Sequence, residues 1–569
     1  MRGVVTSISV SDVRHFLHNG AAHWRKRDQI SQNLSSDPLF DKSQRTFATR
    51  KELYIQVHRW SFKETNLALS IIDVKGLPQA VGLHNVAFEP VLRLQASPEL
   101  LSKYGALVAS KGILGCYLQT ELGHGTKVGH LETTATYIPE TREFEIHSPT
   151  LSSTKWWIGA LGKTATHGVV QAKLILPGGK DTGPHLFFVQ LRCLVIGGIG
   201  PKALAGYPTT DNGFARFDHL SYGGMLYIRS GMVTGAGWLI GKVRRRGEIG
   251  PDGLERQIIT YLSLNVRLIP VISHAYVFVE LGHALTRGFN TLARDLSSGD
   301  TSQLAEMHMM TSGLKVLVST TGVGAGRMYA DYVPAVTYEG ENYVLDGQVL
   351  RAALKSFLSV VAAGAPTTTA AALSPTSYYL RLLLVKNLLP PELSPASWKQ
   401  PATTILLLEW RAALLVHESA QTIGQPDTLA TQRVSRAVTE AFVAARVGEM
   451  IQGVGNTLKP READVVKKVY LLYLLTTVKS ALGTFRSRDP TRELRLAVAA
   501  LCGELLPEAI GLTDAFGFSD WELDSALGVY DGRAFEALWK KVQEEPLNQM
   551  EVTEAYEFVY LAIQFREFR

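Results

Sequence analysis

The chain has 569 residues, of which 46% are hydrophobic and 19% are charged, and its formal net charge is only +6. This composition is typical of a large globular protein with several structural units, and so small a positive charge argues against nucleic acid as a partner. Cys116, Cys193 and Cys502 lie too far apart for a disulfide framework or a cysteine metal site. The N-terminus has no adequate signal-peptide core and the most apolar runs are too short or too charged for a membrane span. We therefore expect a soluble intracellular protein without a metal site.

Helical patterns dominate residues 1–114, with predicted breaks at Pro38, Pro78 and Pro90. Residues 115–225 instead read as strands. TATYIPETREFEIHS, residues 134–148, predicts two strands joined by a polar turn. HLFFVQLRCLVI, residues 185–196, alternates and predicts a half-buried strand. The residues expected on its buried face are Phe187, Val189, Leu191 and Cys193.

Helical periodicity returns over residues 226–363. Two apolar faces are predicted there, the first from Ile258, Leu262, Val266 and Ile269, the second from Leu350, Leu354, Phe357, Leu358 and Val361. A linker rich in Ala, Pro and Thr follows, and residues 377–569 again read as helices. The sequence thus predicts a mainly α protein with a central β-rich unit and a second, C-terminal helical bundle.

Several motifs suggest activities that their details exclude. GALGKT, residues 159–164, ends like a phosphate-binding loop, but Trp157 stands where that motif requires its first glycine. The glycine strings at 197–206 and 322–326 lack the acidic residue of a dinucleotide site, so turn glycines are the better interpretation. The basic run at 242–247 is interpreted as a solvated face. His124 is interpreted as a structural histidine.

One combination of segments is specific. Residues 115–170 include TELGHGT, LETTATY and KWWIGALGKT, and later segments are GGIGPK, DNGFARFDHL, SHAYVF, TSGLK and YADYVPAVTYEGEN. LTDAFGFSDWELDSALGVYDGRAFEAL follows near the C-terminus. Together these segments closely resemble the peroxisomal acyl-CoA oxidases, from about residue 80 to 548, and we expect a divergent, fungal-type member.

The resemblance implies a fold and a reaction. The fold is an N-terminal helical domain, a small β-barrel, a helical flavin domain and a C-terminal helical bundle, as in the acyl-CoA dehydrogenases and oxidases. The reaction removes two hydrogens from the Cα and Cβ atoms of an acyl-CoA. FAD accepts them and passes the electrons to O₂, which gives H₂O₂ and a trans-2-enoyl-CoA. Such a reaction serves fatty-acid β-oxidation or a specialised biosynthetic pathway.

Site residues follow from the same resemblance. Glu339 corresponds to the general base that removes the α-proton, and Gly340 allows backbone to approach the thioester. Glu341, two residues on, is expected to cap the following helix instead. Thr120 and Gly159 match positions that hydrogen-bond the isoalloxazine ring. Trp157, with Trp156, is expected to wall the flavin.

The chain departs from the family at one functional segment. Residues 316–332 are markedly shorter than the family's glycine-rich segment near the FAD phosphates, which predicts weaker FAD binding. SYGGML, residues 221–226, and Arg246 are further departures.

Partners and location are also implied by the resemblance. We expect acyl-CoA and O₂ as reactants, a homodimer, and a peroxisomal location despite a C-terminus that lacks a serine-lysine-leucine signal. Two alternatives remain open at the level of sequence: an acyl-CoA dehydrogenase with another electron acceptor, or a catalytically weak acyl-CoA-binding paralogue. The acyl chain length is not encoded in any motif.

Overall fold

The computed structural model describes most of the chain, in segments. They are residues 6–42, 48–63, 82–125, 128–141, 143–191, 195–199, 211–222, 244–249, 255–257, 262–321, 340–362, 373–384, 393–421, 428–481, 491–524, 529–531 and 533–544. Helices lie at both ends of the chain and the strands lie between them. This is the predicted mainly α architecture with a central β domain.

The elements are numbered in chain order. The α-helices are α1 (Val10–Leu17), α2 (Ala21–Ser36), α3 (Arg50–Lys63), α4 (Glu89–Gln95), α5 (Pro98–Ala109), α6 (Leu262–Ser297), α7 (Leu304–Thr321), α8 (Asn342–Ala362), α9 (Pro401–Gln421), α10 (Thr428–Gly453), α11 (Pro460–Ala481), α12 (Thr491–Leu505), α13 (Ala509–Asp514), α14 (Asp520–Leu523) and α15 (Ala534–Gln543). The strands are β1 (Gly115–Leu118), β2 (Thr134–Ile138), β3 (Glu143–His147), β4 (Lys155–Ile158), β5 (His167–Leu176), β6 (Lys180–Gln190), β7 (Val195–Gly198), β8 (Gly213–Arg216), β9 (Leu220–Tyr222), β10 (Arg244–Ile249) and β11 (Glu255–Gln257).

Proline positions in the N-terminal helices match the predicted breaks only in part. Helix α2 ends at Ser36, just before Pro38. The break predicted at Pro90 is wrong, because a π-helical turn, His84–Phe88, runs directly into α4. The Glu89 N–H bonds the His84 carbonyl five residues back, and this wider turn accommodates the proline. Pro78 lies outside the described residues.

The β domain consists of two sheets around one core. A separate two-stranded sheet of β10 and β11 lies within residues 226–363, so the helical prediction for that region is wrong there. In the larger sheet the strand order is β1-β5-β2-β3-β9, with β6 also paired to β5, and the smaller sheet has the order β4-β8-β7. Strands β2 and β3 form the predicted hairpin, with Thr134 opposite His147 and Ile138 opposite Glu143. Buried residues of both sheets, among them Leu118, Val170 and Phe217, make up the core between them.

Residues 186–189 of strand β6 are buried on both faces, so the predicted exposed face is wrong there, although Phe187, Val189 and Leu191 are buried as predicted. Phe187 and Val189 face the core between the sheets. Leu186 and Phe188, on the opposite face, are also buried, because Phe88 of the N-terminal helical segment packs against that side of the strand. Cys193 lies outside the described residues, and the last two residues of the predicted strand, Val195 and Ile196, belong to β7.

Helices from both sides of the predicted linker share hydrophobic cores. Ile269 of α6 and Leu317 of α7 belong to the same cluster as Leu408 of α9 and Val469 of α11. Helix α8 contributes Val349 to a second cluster with α9 and α10. The bundle helices therefore hold α6, α7 and α8 in place, while the predicted domain boundaries remain predictions.

The apolar face of α8 differs from the predicted one. Its buried apolar residues are Leu345, Val349, Ala353, Phe357 and Val360. Leu358 and Val361, which were predicted on the buried face, are 50% and 59% exposed. On the other predicted face Ile269 is buried and Val266 packs beside it, whereas Ile258 lies outside the described residues.

Two segments of the described chain are long and apolar enough to cross a membrane by length and composition, Asn265–Ser297 and Arg492–Asp514. Both contribute to the largest hydrophobic core, through residues such as Tyr276 and Leu501. Core helices of a bundle pass the same test of length and hydropathy, so the absence of a membrane span remains a prediction.

Candidate active site

The segment Gln119–Glu121 and the start of β4 lie side by side at one edge of the β domain. The Trp156 N–H donates to the Thr120 carbonyl at 3.0 Å, and Glu121 and Lys155 form an isolated antiparallel bridge. This pairing brings Thr120 next to the Trp156–Gly159 segment, 36 residues further along the chain. Two of the segments predicted to contact a flavin are therefore neighbours.

The two tryptophans have different surroundings. Trp156 stacks on Phe214 of β8, with ring centroids 5.5 Å apart. Trp157 is 40% exposed and has a φ of +62°, in the left-handed region that a non-glycine residue rarely adopts. Strained backbone of this kind concentrates at functional sites. The arrangement agrees with a tryptophan presented at a binding surface and another packed beneath it.

The donors available at this edge fit an isoalloxazine ring. Among the described residues, neither the backbone N–H nor the hydroxyl of Thr120 has a hydrogen-bond partner, although Thr120 is partly buried. Gly159 is half-buried and has no side chain to keep a planar ring from its backbone. Polar donors beside exposed aromatic surface are what a flavin ring requires. The residues present thus fit FAD.

The GALGKT turn does not form a phosphate site. Its backbone N–H groups at Lys163 and Thr164 both donate to the Asp211 carboxylate, the second at 2.8 Å. A Cβ at Gly162 would lie only 2.5 Å from the same carboxylate. An internal carboxylate therefore takes the place that an anionic ligand would need, in agreement with the exclusion of a phosphate-binding loop.

A second part of the site lies where α7 meets the start of α8. Gly340 has a φ of +96°, and a Cβ there would lie 3.0 Å from Leu345. The Lys315 ammonium donates to the Gly340 carbonyl at 2.6 Å and to Asn342 Oδ1 at 2.7 Å. Asn342 in turn donates to the Ser319 hydroxyl at 3.0 Å. Helix α7 therefore anchors the residues that follow Glu339.

The carboxylates near this turn have distinct roles. The Glu341 carboxylate accepts the Val344 N–H at 3.3 Å, which confirms the predicted capping role. Asp346, one turn further, is buried, and burial raises the pKa of its carboxyl group with a smaller contribution from Glu341. Glu339 itself lies outside the described residues, as do the glycine strings beyond Ile199 and the segment 322–339.

Histidines in the β domain contribute to structure. His124 hydrogen-bonds Glu132 at 2.8 Å, as the structural interpretation requires. His147, Asp218 and His219 place potential ligand atoms within 4.8 Å of one another. However, the two imidazole rings are stacked at 3.9 Å and 20°, so their in-plane lone pairs run nearly parallel instead of converging on one ion. This cluster carries no metal assignment.

Sequence reasoning missed the roles of four charged residues in this region. Lys155 and Glu121 form a fully buried ion pair at 3.1 Å, and burial lowers the pKa of Lys155 to about 8. Lys315 and Asp211 lie in segments that carry the family resemblance, but no role was predicted for either residue. The available signal was a charged residue inside or beside an apolar element, such as Lys155 ahead of two tryptophans.

Family models match three parts of the chain. They are Acyl-coenzyme A oxidase N-terminal over residues 9–114, Acyl-CoA oxidase, C-alpha1 domain over residues 222–325, and Acyl-CoA oxidase over residues 400–563. The putative peroxisomal acyl-coenzyme A oxidase 1.2 of Arabidopsis thaliana is 31% identical, over 93% of this chain and 92% of its own length. That alignment spans 627 positions against the 569 residues here, so the relative carries insertions that this chain lacks.

Solved structures agree over nearly the whole chain. Arabidopsis thaliana acyl-CoA oxidase 1 superimposes with a TM-score of 0.85 at 26% identity, over 99% of this chain and 98% of its own. Acyl-CoA oxidase-1 of Caenorhabditis elegans, solved in complex with FAD and ATP, gives a TM-score of 0.85 at 26% identity. It covers 99% of this chain and 97% of its own.

Proposed function

Because the chain belongs to the acyl-CoA oxidase family, we propose that Glu339 is the general base of an FAD-dependent oxidation of an acyl-CoA thioester. The chain is an acyl-CoA oxidase with FAD as its cofactor, and the proposal concerns which of its residues act. An α-proton of a thioester is only weakly acidic, so it must pass to a positioned carboxylate.

The observation that carries this assignment is the anchoring of Gly340 by Lys315. The 2.6 Å contact is a charge-assisted hydrogen bond to the carbonyl group of the residue that follows Glu339. Gly340 adopts a φ of +96°, which turns the chain sharply at that point. Glu341 is occupied by its helix cap, so we assign the base to Glu339, the carboxylate that the family resemblance indicates. Lys315 thereby restricts where the base can lie.

The β-domain edge supplies the cofactor-facing residues. Thr120 would donate its N–H and hydroxyl to the ring, Gly159 would admit the ring edge, and Trp157 would cover a face. When bound, FAD supplies the hydride acceptor for Cβ and passes the electrons to O₂. The protein's part is to hold the thioester between the base and the ring, so that proton and hydride leave from adjacent carbons.

Assembly and location follow as finer proposals. The chain acts as a homodimer, which is supported by the exposed apolar residues Leu358 and Val361 on α8. It works in the peroxisome, which is supported by the name of the Arabidopsis relative. A fluorescent fusion that stays in the cytosol of a host with intact peroxisomes would contradict the location.

The experiment that tests the base compares three carboxylate variants in anaerobic mixing with acyl-CoA. Glu339→Gln should slow flavin bleaching by roughly 10²- to 10⁴-fold while FAD remains bound. Glu341→Gln and Asp346→Asn keep Glu339 and should stay far closer to the wild-type rate. Near-normal bleaching by Glu339→Gln, with a large loss in one of the other two, would move the assignment to that residue.

A further inference from the structure

The buried ion pair between Lys155 and Glu121 is unusual for its position. Both side chains are completely inaccessible to solvent, and the ammonium lies 3.1 Å from the carboxylate. Removing two charges from water is costly, and an apolar pair of similar volume often stabilises a fold equally well. A buried charged pair is therefore weak evidence for a contribution to stability alone.

The Lys155 ammonium is bonded to residues on both sides of Thr120. It donates to the Gln119 carbonyl at 3.2 Å and to Glu121 Oε1 at 3.1 Å. Its third bond goes to the Gln171 carbonyl of β5 at 2.7 Å. One side chain of β4 thus joins the segment around Thr120 to a central strand of the larger sheet.

The Glu121 carboxylate is bonded just as fully. Oε1 accepts the Thr133 N–H at 3.0 Å and its hydroxyl at 2.5 Å, and Oε2 accepts the Glu132 N–H at 2.8 Å. A carboxylate with this many donors has little freedom to rotate. It therefore fixes Glu121 to the segment that precedes β2.

Thr120 lies between these two fixed neighbours and is itself bonded through its carbonyl to Trp156. The polar groups of Thr120 that remain without a partner among the described residues are its N–H and hydroxyl. We propose that the Lys155–Glu121 pair is a positioning element, which sets the direction of the Thr120 donors and of the adjoining Trp156–Trp157 segment without touching the cofactor. This inference rests on the proposed role of Thr120 toward FAD.

The test measures FAD binding by a neutral version of the pair. Lys155→Met combined with Glu121→Gln keeps side-chain length, removes both charges and leaves no unpaired charge buried. We expect FAD to dissociate from it at least about tenfold more readily, with a changed visible circular dichroism of the bound flavin. The apoprotein should still melt cooperatively within about 5 °C of wild type.

A matched control is the buried pair Arg27–Glu522, which joins α2 to α14. Arg27→Met with Glu522→Gln removes an ion pair of similar burial and should leave FAD affinity and the flavin spectrum unchanged. Wild-type FAD affinity and spectrum in the Lys155/Glu121 double variant would overturn the proposal. An equal loss of FAD affinity in the control would overturn it as well, because the effect would then be one of general stability.

Two milder variants decide the remaining cases. If the double variant does not fold, Thr133→Val removes a single donor to Glu121. We expect FAD binding to weaken about threefold in this variant, and unchanged binding overturns the proposal.

Thr120→Ala separates this inference from the assignment of Thr120 to the site. Wild-type FAD affinity in Thr120→Ala refutes a contribution from the Thr120 hydroxyl and leaves the backbone N–H as the donor that the pair positions. Weakened affinity there, with wild-type affinity in the double variant, refutes only the positioning role.

Discussion

At the scale of single residues, Lys315 is the side chain whose removal should best expose the positioning of the base. Lys315→Met loses the bonds to Gly340 and Asn342. We expect flavin reduction to slow by roughly 10- to 100-fold, because the base is then less well placed for the α-proton. Lys355→Met, an exposed lysine of α8, is the control and should reduce flavin at the wild-type rate. Equal rates for the two variants would show that Lys315 does not position the base.

Substitution of Trp157 by glycine separates two effects, the strain of its backbone and the contact of its side chain with the cofactor. A left-handed conformation costs an L-residue about 1–2 kcal/mol, which glycine avoids, although glycine gains entropy in the unfolded chain. Trp157→Gly should therefore keep the apoprotein's free energy of unfolding within about 1 kcal/mol of wild type while weakening FAD binding. Lys111→Gly relieves a similar φ of +60° and should leave FAD binding unchanged. Wild-type FAD affinity in Trp157→Gly would remove Trp157 from the site.

Residue roles were predictable where the pattern is local. The Glu341 cap joins residues three positions apart, so the sequence alone indicated it. The bonds from Lys155 to Gln119 and from Lys315 to Gly340 join residues 36 and 25 positions apart. Such bonds depend on the fold that brings the segments together, and no spacing rule encodes them.

At the scale of elements, the attachment of α1 should depend on pH through His18. Its ring hydrogen-bonds the Phe516 carbonyl at 3.1 Å, and burial lowers the pKa of His18 to about 4. A histidine whose folded pKa lies below its unfolded value of 6.5 stabilises the fold above pH 6.5, and this contribution is lost as the pH falls from 6.5 to 4. We expect the urea midpoint to drop between pH 7 and pH 5, and to drop less in His18→Gln. An equal drop in both proteins would rule out His18 as a source.

The shortened segment at 316–332 predicts weak retention of FAD. Its residues from 322 on lie outside the described part of the chain, so the prediction rests on sequence. Glycine-rich backbone donates well to phosphate, and each lost bond to a charged group weakens binding by about 1.5–3 kcal/mol. We expect FAD to be lost on gel filtration and added FAD to raise the melting temperature and activity. Full retention of FAD through dialysis, without any shift on addition, would contradict it.

Helices and strands were predicted well where the periodicity of the sequence reflects one buried and one exposed face. The β2–β3 hairpin followed from alternation and a polar turn. The burial of the middle of β6 did not follow from its sequence, because the helical segment around Phe88 covers the second face of the strand there. The polar residues that would mark an exposed face lie only toward the ends of the strand. The exposed Leu358 and Val361 of α8 show the converse, since apolar spacing does not reveal whether a partner element is present.

At the scale of the whole molecule, the exposed apolar end of α8 should carry the contact between subunits. Leu358→Glu with Val361→Glu places charges on that surface and should convert the dimer to a monomer in light scattering. Leu496→Glu changes a residue of α12 that is 58% exposed and should remain dimeric. A wild-type protein that is monomeric and still binds stoichiometric FAD would contradict the dimer altogether.

The overall architecture was the most predictable level, because the order of helices, strands and helices follows from periodicity and the specific segments identify the family. The sharing of cores across the linker was not predictable, since it depends on packing between distant helices such as α6 and α11. We propose that the reaction depends on the turn at Gly340, whose carbonyl accepts a hydrogen bond from Lys315 of α7.

The most direct test of Glu339 isolates proton removal from the rest of the reaction. A saturated acyl-CoA with sulfur in place of its β-carbon cannot lose a hydride there, so incubation of the holoprotein with it in D₂O reports only exchange of the α-protons, measured by mass spectrometry. The wild-type protein should introduce α-deuterium, and Glu339→Gln should reduce the exchange by at least about 100-fold with FAD still bound. Exchange by Glu339→Gln at the wild-type rate would contradict its assignment as the base.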